Sequence, residues 1–279
     1  MRKGGLSSAA SQLADANNQK QGSYEKMDNI LFSRFRSVLT ASLPPCVRDP
    51  RLVLEQDGRV SIYYAPFEHI NHKARIALVG ITPGPTQMNK ANNTAREALL
   101  AGRPDLDTMK AAKQTASFSG EPMRSNLIRQ MNHWGIHQWL GISDSSLLFS
   151  DARDLVHTTS LLRFPVFVGG KDYRGSPDMT KNSFLKDHLM AHFVKEVEEL
   201  KNTMFFGLGP KVQSVLDFLT TAGTLPEDRV IPGMLHPSGN NTYRINYLTG
   251  ARTGPVPHAT TPGPYDTGRA RFHRNYLSG

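Results

Sequence analysis

The chain has 279 residues, of which 38% are hydrophobic, enough for one sizeable α/β domain with extended ends. Its formal net charge of +9 and pI of about 9.7 favour a polyanionic partner such as nucleic acid. The single cysteine, Cys46, excludes an intramolecular disulfide framework and a multi-cysteine metal site, and it is typical of a reducing cytoplasm. The polar N-terminus lacks the apolar core of a signal peptide, and no apolar run is long enough to span a membrane. We therefore expect a cytoplasmic protein.

The first third of the chain predicts a tail, a helix and a strand. Residues 1–22 are polar and predict a flexible N-terminal tail. Apolar residues within 29–43 recur at helical spacing and predict a helix that ends before Pro44. Residues 60–64 have strand composition, and Gly58 before them predicts a turn.

The most informative stretch follows at residues 76–87. The apolar run 76–79 predicts a fully buried strand, and Pro83, Gly84 and Pro85 predict a rigid loop at its carboxyl end. In open α/β sheets, ligands bind in the crevice beyond the carboxyl ends of the strands. The loop contains neither GxGxxG nor GxxxxGK[ST], so it predicts neither a dinucleotide site nor a P-loop.

Beyond this loop, predicted strands and helices alternate. Strands are predicted at 147–149, 156–162, 203–206 and 230–231, and helices at 95–100, from 127 onward, at 183–200 and at 212–219. This alternation predicts a three-layer α/β/α sandwich with a mainly parallel central sheet. We expect residues 23–248 to form one domain and residues 249–279, rich in glycine, proline and arginine, to form a basic extension.

Four motifs in chain order resemble those of the uracil-DNA glycosylase superfamily. Gly80-Ile81-Thr82-Pro83-Gly84-Pro85 is similar to its first motif, G-[IM]-N-P-G in the mismatch-specific and single-strand-selective branches, and His236-Pro237-Ser238 matches its second, H-P-S. Phe118 stands where the aromatic residue that stacks on the flipped base belongs. Residues 158–165 stand where the strand with the base-reading asparagine belongs, and Thr159 takes the place of that asparagine.

The resemblance implies a glycosylase-like α/β domain and a monomeric, monofunctional DNA N-glycosylase. Such an enzyme hydrolyses the N-glycosidic bond of a flipped uracil or other damaged base in single- or double-stranded DNA during base excision repair, without a cofactor or a metal. His236 would donate a hydrogen bond to the departing base, and Thr82 would position the attacking water. The base-binding residues would be Gly80, Ile81, Phe118 and Thr159. The residues that grip the DNA backbone would be Pro83, Gly84, Pro85, Arg124, Lys171, Ser238, Gly239 and Asn240, with Arg174 and Arg244 adding positive charge.

Two threonines depart from the superfamily pattern. Thr82 stands where an Asp, Asn or Glu is usual, and a hydroxyl is no general base at neutral pH. Thr159 cannot make the paired donor-and-acceptor contact that an amide gives to uracil, so activity on uracil itself does not follow from these residues. The alternative is a catalytically weak or inactive nucleic-acid-binding protein on the same fold.

Two other enzyme classes are not favoured by the sequence. It contains no G-x-S-x-G motif, so it does not predict a serine hydrolase. A metal-dependent nuclease would need clustered Asp, Glu and His, but Asp172, Asp178, Asp187 and His188 are scattered along a predicted loop and helix and instead predict a solvated face.

Overall fold

The computed structural model describes residues 30–258 and 260–277. The predicted tail of residues 1–22 lies outside the described residues. Helix α1 covers residues 30–39 of the described chain and buries Phe32, Phe35 and Leu39, as its apolar spacing predicts. In the part of the chain that the structure describes, no helix is long and apolar enough to cross a membrane.

The remaining elements alternate between strands and helices. The strands are β1 (Val53–Asp57), β2 (Val60–Tyr63), β3 (Ile76–Gly80), β4 (Val156–Ser160), β5 (Val166–Val168), β6 (Lys171–Asp172), β7 (Met204–Gly207) and β8 (Val230–Ile231). The helices are α2 (Pro85–Leu100), α3 (Asp105–Ala116), α4 (Met123–His133), α5 (Ile136–Leu140), α6 (Ser183–His188), α7 (Lys195–Glu199), α8 (Pro210–Thr221), α9 (Thr242–Leu248) and α10 (Pro262–Tyr276). A π-helical segment, Leu189–Val194, joins α6 to α7.

Four strands form a parallel sheet in the order β4-β3-β7-β8. β3 is buried along its whole length, which explains its continuous apolar sequence. Ala77 and Val79 face a hydrophobic cluster that includes residues of α1, α2 and α8. Ile76 and Leu78 face a second cluster built from α4, α5, α9 and α10. The predicted α/β class and parallel sheet are confirmed, with helices packed on both faces of the sheet.

A second, antiparallel sheet has the order β1-β2-β5-β6. The predicted turn at Gly58 is confirmed, because it joins β1 to β2. The other half of the sheet, β5 and β6, was not predicted from the sequence. There β5 and β6 are joined by Gly169 and Gly170, whose positive φ angles of 55° and 74° suit a two-residue hairpin turn.

Two local predictions are corrected by the structure. The helix predicted at 95–100 begins at Pro85, because proline suits the first helical position and the Gln87 side chain accepts the N–H of Gly84 (3.1 Å). The strand predicted at 147–149 is wrong. Ser145–Phe149 forms a 3₁₀ helix whose first turn is capped by Asp144, which accepts the N–H of Ser146 at 2.7 Å.

The packed fold extends beyond residue 248, where the sequence placed the end of the domain. α10 buries Tyr265 and Phe272 completely in the second hydrophobic cluster. A Cβ on Gly268 would lie 2.0 Å from the carbonyl oxygen of Pro232, so glycine is required for this close approach. Residues 262–276 therefore pack against the domain through Tyr265, Gly268 and Phe272.

Candidate functional site

A cavity of about 460 Å³ opens at the carboxyl ends of β3 and β4. The chain runs from β3 to β4 on one side and later returns to β7 on the other side of β3. Such a reversal of strand order leaves a crevice in which α/β proteins bind ligands. Of the residues predicted from the sequence, those that line the cavity are Gly80, Ile81, Thr82, Pro83, Gly84, Pro85, Phe118, Thr159, Arg174, His236, Ser238 and Asn240.

The loop after β3 is held to the segment that follows β4. The N–H of Leu162 donates to the carbonyl of Ile81 at 3.0 Å. The Thr82 hydroxyl donates to the carbonyl oxygen of Phe164 (2.8 Å) and accepts the N–H of Val166 (3.2 Å). The Thr82 hydroxyl proton is therefore donated to Phe164, and one lone pair of the hydroxyl oxygen remains that could accept a hydrogen bond from water.

Phe118 has an unusual backbone conformation. Its φ angle of +45° lies in the left-handed region, which is uncommon for a bulky residue. α3 ends at Ala116, and the chain turns through Phe118 and Gly120 before α4 begins. A Cβ on Gly80 would lie 3.9 Å from Cε1 of Phe118, so the ring lies over the end of β3.

Residues 235–238, here called the His236 loop, are clamped by two buried amide side chains of α4. Gln130 accepts the N–H of Leu235 (2.9 Å) and donates to its carbonyl oxygen (3.1 Å). Asn126 donates to the carbonyl oxygen of Pro237 at 3.1 Å. These amides lie one helical turn apart on the same face, so α4 fixes both ends of the loop.

A glycine at the start of α8 brings the next turn against the His236 loop. Gly209 has a φ angle of +94°, and a Cβ there would lie 3.1 Å from Cβ of His236. Its N–H donates to the carbonyl of Met234 at 2.9 Å. This close approach and the left-handed backbone both require glycine.

The environment of His236 selects a neutral ring with a defined tautomer. Burial lowers the pKa of His236, which favours the uncharged imidazole. The backbone N–H of Ser238 donates to Nδ1 at 3.3 Å, so Nδ1 is the acceptor. In the neutral ring the proton then resides on Nε2, which makes His236 a hydrogen-bond donor through Nε2.

Beneath the cavity lies a buried cluster, here called the charged floor. It consists of Glu196 with Lys113, His157, Thr159 and Arg163. Arg163 Nε donates to Oε1 of Glu196 at 2.8 Å, and Lys113 Nζ lies 3.9 Å from the same oxygen. His157 Nε2 lies 3.1 Å from Oε2, which also accepts the Thr159 hydroxyl proton. Lys113, Thr159 and Arg163 line the cavity, with Glu196 completely buried behind them.

The ionisation of the charged floor is set by burial and by the mutual attraction of its members. Burial alone would raise the pKa of Glu196, but Lys113, Arg163 and the hydrogen bond from His157 outweigh it and hold that pKa well below its usual range. Burial and repulsion by Lys113 lower the pKa of His157 to about 4, despite the opposing effect of Glu196. The N–H of Asn71 donates to Nδ1 of His157 at 3.3 Å, so neutral His157 donates through Nε2 to Glu196. Because Thr159 donates to Glu196, its oxygen can only accept from a ligand.

The hairpin of β5 and β6 supplies another wall of the cavity. Phe167 and Asp172 are paired directly across the hairpin, so their side chains share a face, and both line the cavity. The exposed carboxylate of Asp172 makes no hydrogen bond or ion pair with the described residues. Tyr173 also lines the cavity but donates its hydroxyl proton to the carbonyl oxygen of Pro177 (2.5 Å).

Three predicted DNA-backbone residues do not line the cavity. Lys171 lies on the opposite face of the hairpin from Asp172. Arg124 donates to the carbonyl oxygen of Ser117 (3.1 Å) and stacks 4.8 Å from the centre of the Phe149 ring. Gly239 is exposed beside Pro122. Of the two further arginines, Arg174 lines the cavity, whereas Arg244 donates to Asn241 at 3.0 Å.

Several residues that shape the site were not selected from the sequence. Arg163 stands within the apolar stretch 161–168, and a charged residue in such a stretch indicates a buried, paired charge. Gly169-Gly170 is a hairpin sequence that would have placed Asp172 on a strand. Lys113 and Glu196 lie on helices among similar charged residues and carry no local pattern that distinguishes them. Among residues 30–258 and 260–277, no group of three His, Cys, Asp or Glu side chains could hold a metal ion.

Comparison with known proteins gives one informative match. The chain is 35% identical over 199 residues to the uncharacterized protein YoxB of Bacillus subtilis (strain 168), and the aligned part covers 70% of this chain and 77% of YoxB. No protein-family model matches the chain, and no solved structure matches it. At this identity and coverage, the chain belongs to the same family as YoxB.

Proposed function

We propose that the protein is a monomeric, cytoplasmic DNA glycosylase-like enzyme with a three-layer α/β/α fold of the uracil-DNA glycosylase type. It would bind DNA and hydrolyse the N-glycosidic bond of a flipped base. One observation carries the proposal: Thr82, Phe118, Thr159 and His236, chosen from separate motifs, all line one cavity at the carboxyl end of the parallel sheet. A volume of about 460 Å³ lies within the usual range of small-molecule pockets.

The lining of the cavity supports the binding of a flipped base. A glycosylase takes the base out of the stack, packs it against an aromatic ring and reads its polar edge. Phe118 would supply the ring. The charged floor would read the edge, with Thr159 accepting a hydrogen bond and Lys113 and Arg163 facing groups of negative character.

His236 would stabilise the departing base. Cleavage of the N-glycosidic bond leaves negative charge on the base, and a preorganised donor lowers the barrier most when it points at that charge. The Nε2–H of the neutral ring is such a donor. Because the His236 loop is fixed by Asn126 and Gln130, little reorganisation is needed during the reaction.

A non-catalytic DNA-binding protein on the same fold is the second candidate. It is favoured by the two threonine hydroxyls, whose protons are donated to the Phe164 carbonyl and to Glu196. Neither side chain can then act as the amide does in the first motif or in the base-reading strand of the superfamily.

The deciding experiment offers the protein single- and double-stranded oligonucleotides that carry uracil or other damaged bases. Abasic sites are revealed by alkaline strand cleavage, and DNA affinity is measured over a range of salt concentrations. The glycosylase proposal expects base release from at least one substrate and an affinity that falls with salt, because Lys and Arg contacts release counterions.

Thr82→Asn tests which of the two candidates is correct. Asparagine has both a donor and an acceptor, the two functions that the hydroxyl uses with Phe164 and Val166, and it restores the residue type of the mismatch-specific branch. We expect uracil release to rise above the wild-type rate. If neither the wild type nor Thr82→Asn releases any base while both bind DNA, the second candidate is correct.

A further inference from the structure

We propose that Asp172, on the edge hairpin of the antiparallel sheet, is the general base that activates the attacking water. This inference rests on the proposed glycosylase function and adds a catalytic residue from outside its sequence motifs. Asp172 is the only carboxylate among the described residues that line the cavity.

The cavity has few groups that could take a proton from water. The Thr82 hydroxyl is a weak base whose proton is donated to Phe164, and Lys113 and Arg163 are cations paired with Glu196. His236 uses Nδ1 to accept the N–H of Ser238, and its Nε2 carries a proton, so neither ring nitrogen is free to accept one. Burial raises the pKa of Tyr173, so its phenol stays protonated. The Asp172 carboxylate, which makes no hydrogen bond or ion pair with the described residues, is the remaining side chain of the cavity that can accept the proton.

The position of Asp172 fits attack on the sugar rather than contact with the base. Its pairing with Phe167 directs the side chain to the cavity face of the hairpin. The carboxylate is exposed, whereas Gly80 and Thr159 are buried, so Asp172 lies toward the mouth and the base-binding residues lie deeper. When a base enters a pocket, its sugar stays near the mouth. The turn Gly169-Gly170 and the hydrogen bond of Tyr173 to Pro177 fix the hairpin on either side.

In the reaction, water attacks C1′ of the deoxyribose while the C1′–N bond breaks. Asp172 takes one proton from the water as the new C1′–O bond forms. The electron pair of the broken bond leaves with the base, which accepts a hydrogen bond from Nε2 of His236. The proton on Asp172 returns through solvent to the base anion, so the products are an abasic sugar and the neutral base. The carboxylate also stabilises the positive charge that develops on the sugar.

The test compares wild type, Asp172→Asn, Asp172→Glu and the control Asp187→Asn. Asp187 lies exposed on α6, so its variant removes the same charge away from the cavity. Base release is measured under single-turnover conditions on the substrate that the wild type cleaves. DNA affinity is measured with the same sequence carrying a 2′-fluoro substituent at the target nucleotide, which slows cleavage.

We expect Asp172→Asn to lose about 10²–10⁴-fold in the rate of base release, the usual contribution of a general base. Its DNA affinity should be unchanged or tighter, because a negative charge near DNA has been removed. Asp172→Glu should retain more activity than Asp172→Asn, and Asp187→Asn should match the wild type.

Two results would overturn the role of Asp172 without touching the proposed function. One is a rate for Asp172→Asn within about threefold of an active wild type, a difference well below 1.4 kcal/mol. The other is a parallel loss of rate and DNA affinity, which would show a structural role. A wild type that releases no base from any substrate refutes the proposed function, and the proposed role of Asp172 is then wrong as well.

Discussion

The charged floor and the His236 loop border the same cavity but are fixed by different interactions. In the floor, Glu196 is a buried anion with cationic and hydroxyl partners. In the loop, the neutral amides of Asn126 and Gln130 hold backbone groups. Removal of one member of a buried ion pair leaves an uncompensated charge, whereas loss of a neutral amide leaves unpaired but uncharged polar groups, which costs less. We therefore expect substitutions in the charged floor to lower the free energy of unfolding more than substitutions in the His236 loop, and substitutions of His236 itself to act mainly on catalysis.

The largest expected effect on stability comes from Glu196→Ala. Arg163 and Lys113 would lose the carboxylate that compensates their charge, at a cost of about 3–5 kcal/mol in the free energy of unfolding. Urea unfolding measures this change. Glu198→Ala on the same helix is the matched control, because Glu198 is exposed and its loss should change stability by no more than about 0.5 kcal/mol. Equal values for the two variants would mean that charge does not hold the floor together.

His236→Ala should affect catalysis and leave the fold nearly unchanged. Loss of a preorganised donor to a developing anion typically lowers the rate about 10²–10³-fold. Among residues 30–258 and 260–277, the ring makes its hydrogen bond only to the nearby Ser238 N–H, so we expect a change in unfolding free energy below about 1 kcal/mol. Single-turnover base release and urea unfolding are measured on the same samples. A wild-type rate in His236→Ala would place the donor elsewhere.

The stability of the floor should also depend on pH. The pKa of His157 is lowered to about 4 in the folded protein from its ordinary value of 6.5. Between these values the unfolded chain binds the proton more readily, so stability falls as pH drops from about 6.5 to 4, by roughly 1.4 kcal/mol per unit for this histidine alone. Urea midpoints at several pH values should show a shallower decline in His157→Gln. His258→Gln, which changes an exposed histidine, should keep the wild-type decline. A decline in His157→Gln as steep as that of the wild type would contradict this origin.

The motif loops were predictable because their chemistry is local in the sequence. Residues 76–79 form a continuous apolar run, and Pro83 to Pro85 directly follow it, so strand and loop could be identified together. His236-Pro237-Ser238 is likewise contiguous. That these loops meet at one cavity follows from the parallel sheet, in which the carboxyl ends of the strands lie at one edge.

The charged floor was not predictable, because its members meet only in the folded chain. Glu196, Glu198 and Glu199 are alike in sequence, yet Glu196 alone is completely buried. The helix predicted at 183–200 has apolar residues at helical spacing, and all of them are buried: Leu185, Leu189, Phe193, Val197 and Leu200. The π-helical segment ends two residues before Glu196 and changes the angular positions that an ordinary helical period would give. No local pattern in the sequence specifies that segment.

A smaller effect on base release than that of His236→Ala should come from the amide clamp of the loop. Gln130→Met keeps the length of the side chain but leaves the N–H and carbonyl of Leu235 without their partners, so we expect a cost of about 1–3 kcal/mol in unfolding free energy. Because Asn126 still holds Pro237, the loop should loosen rather than detach, and base release should fall by less than in His236→Ala. Gln138→Met is the control, because Gln138 is exposed on α5 and makes no such contact with the loop. Unfolding and single-turnover release together test the comparison: a loss in Gln130→Met as large as in Glu196→Ala would mean that neutral amides hold this cavity as firmly as buried charges do.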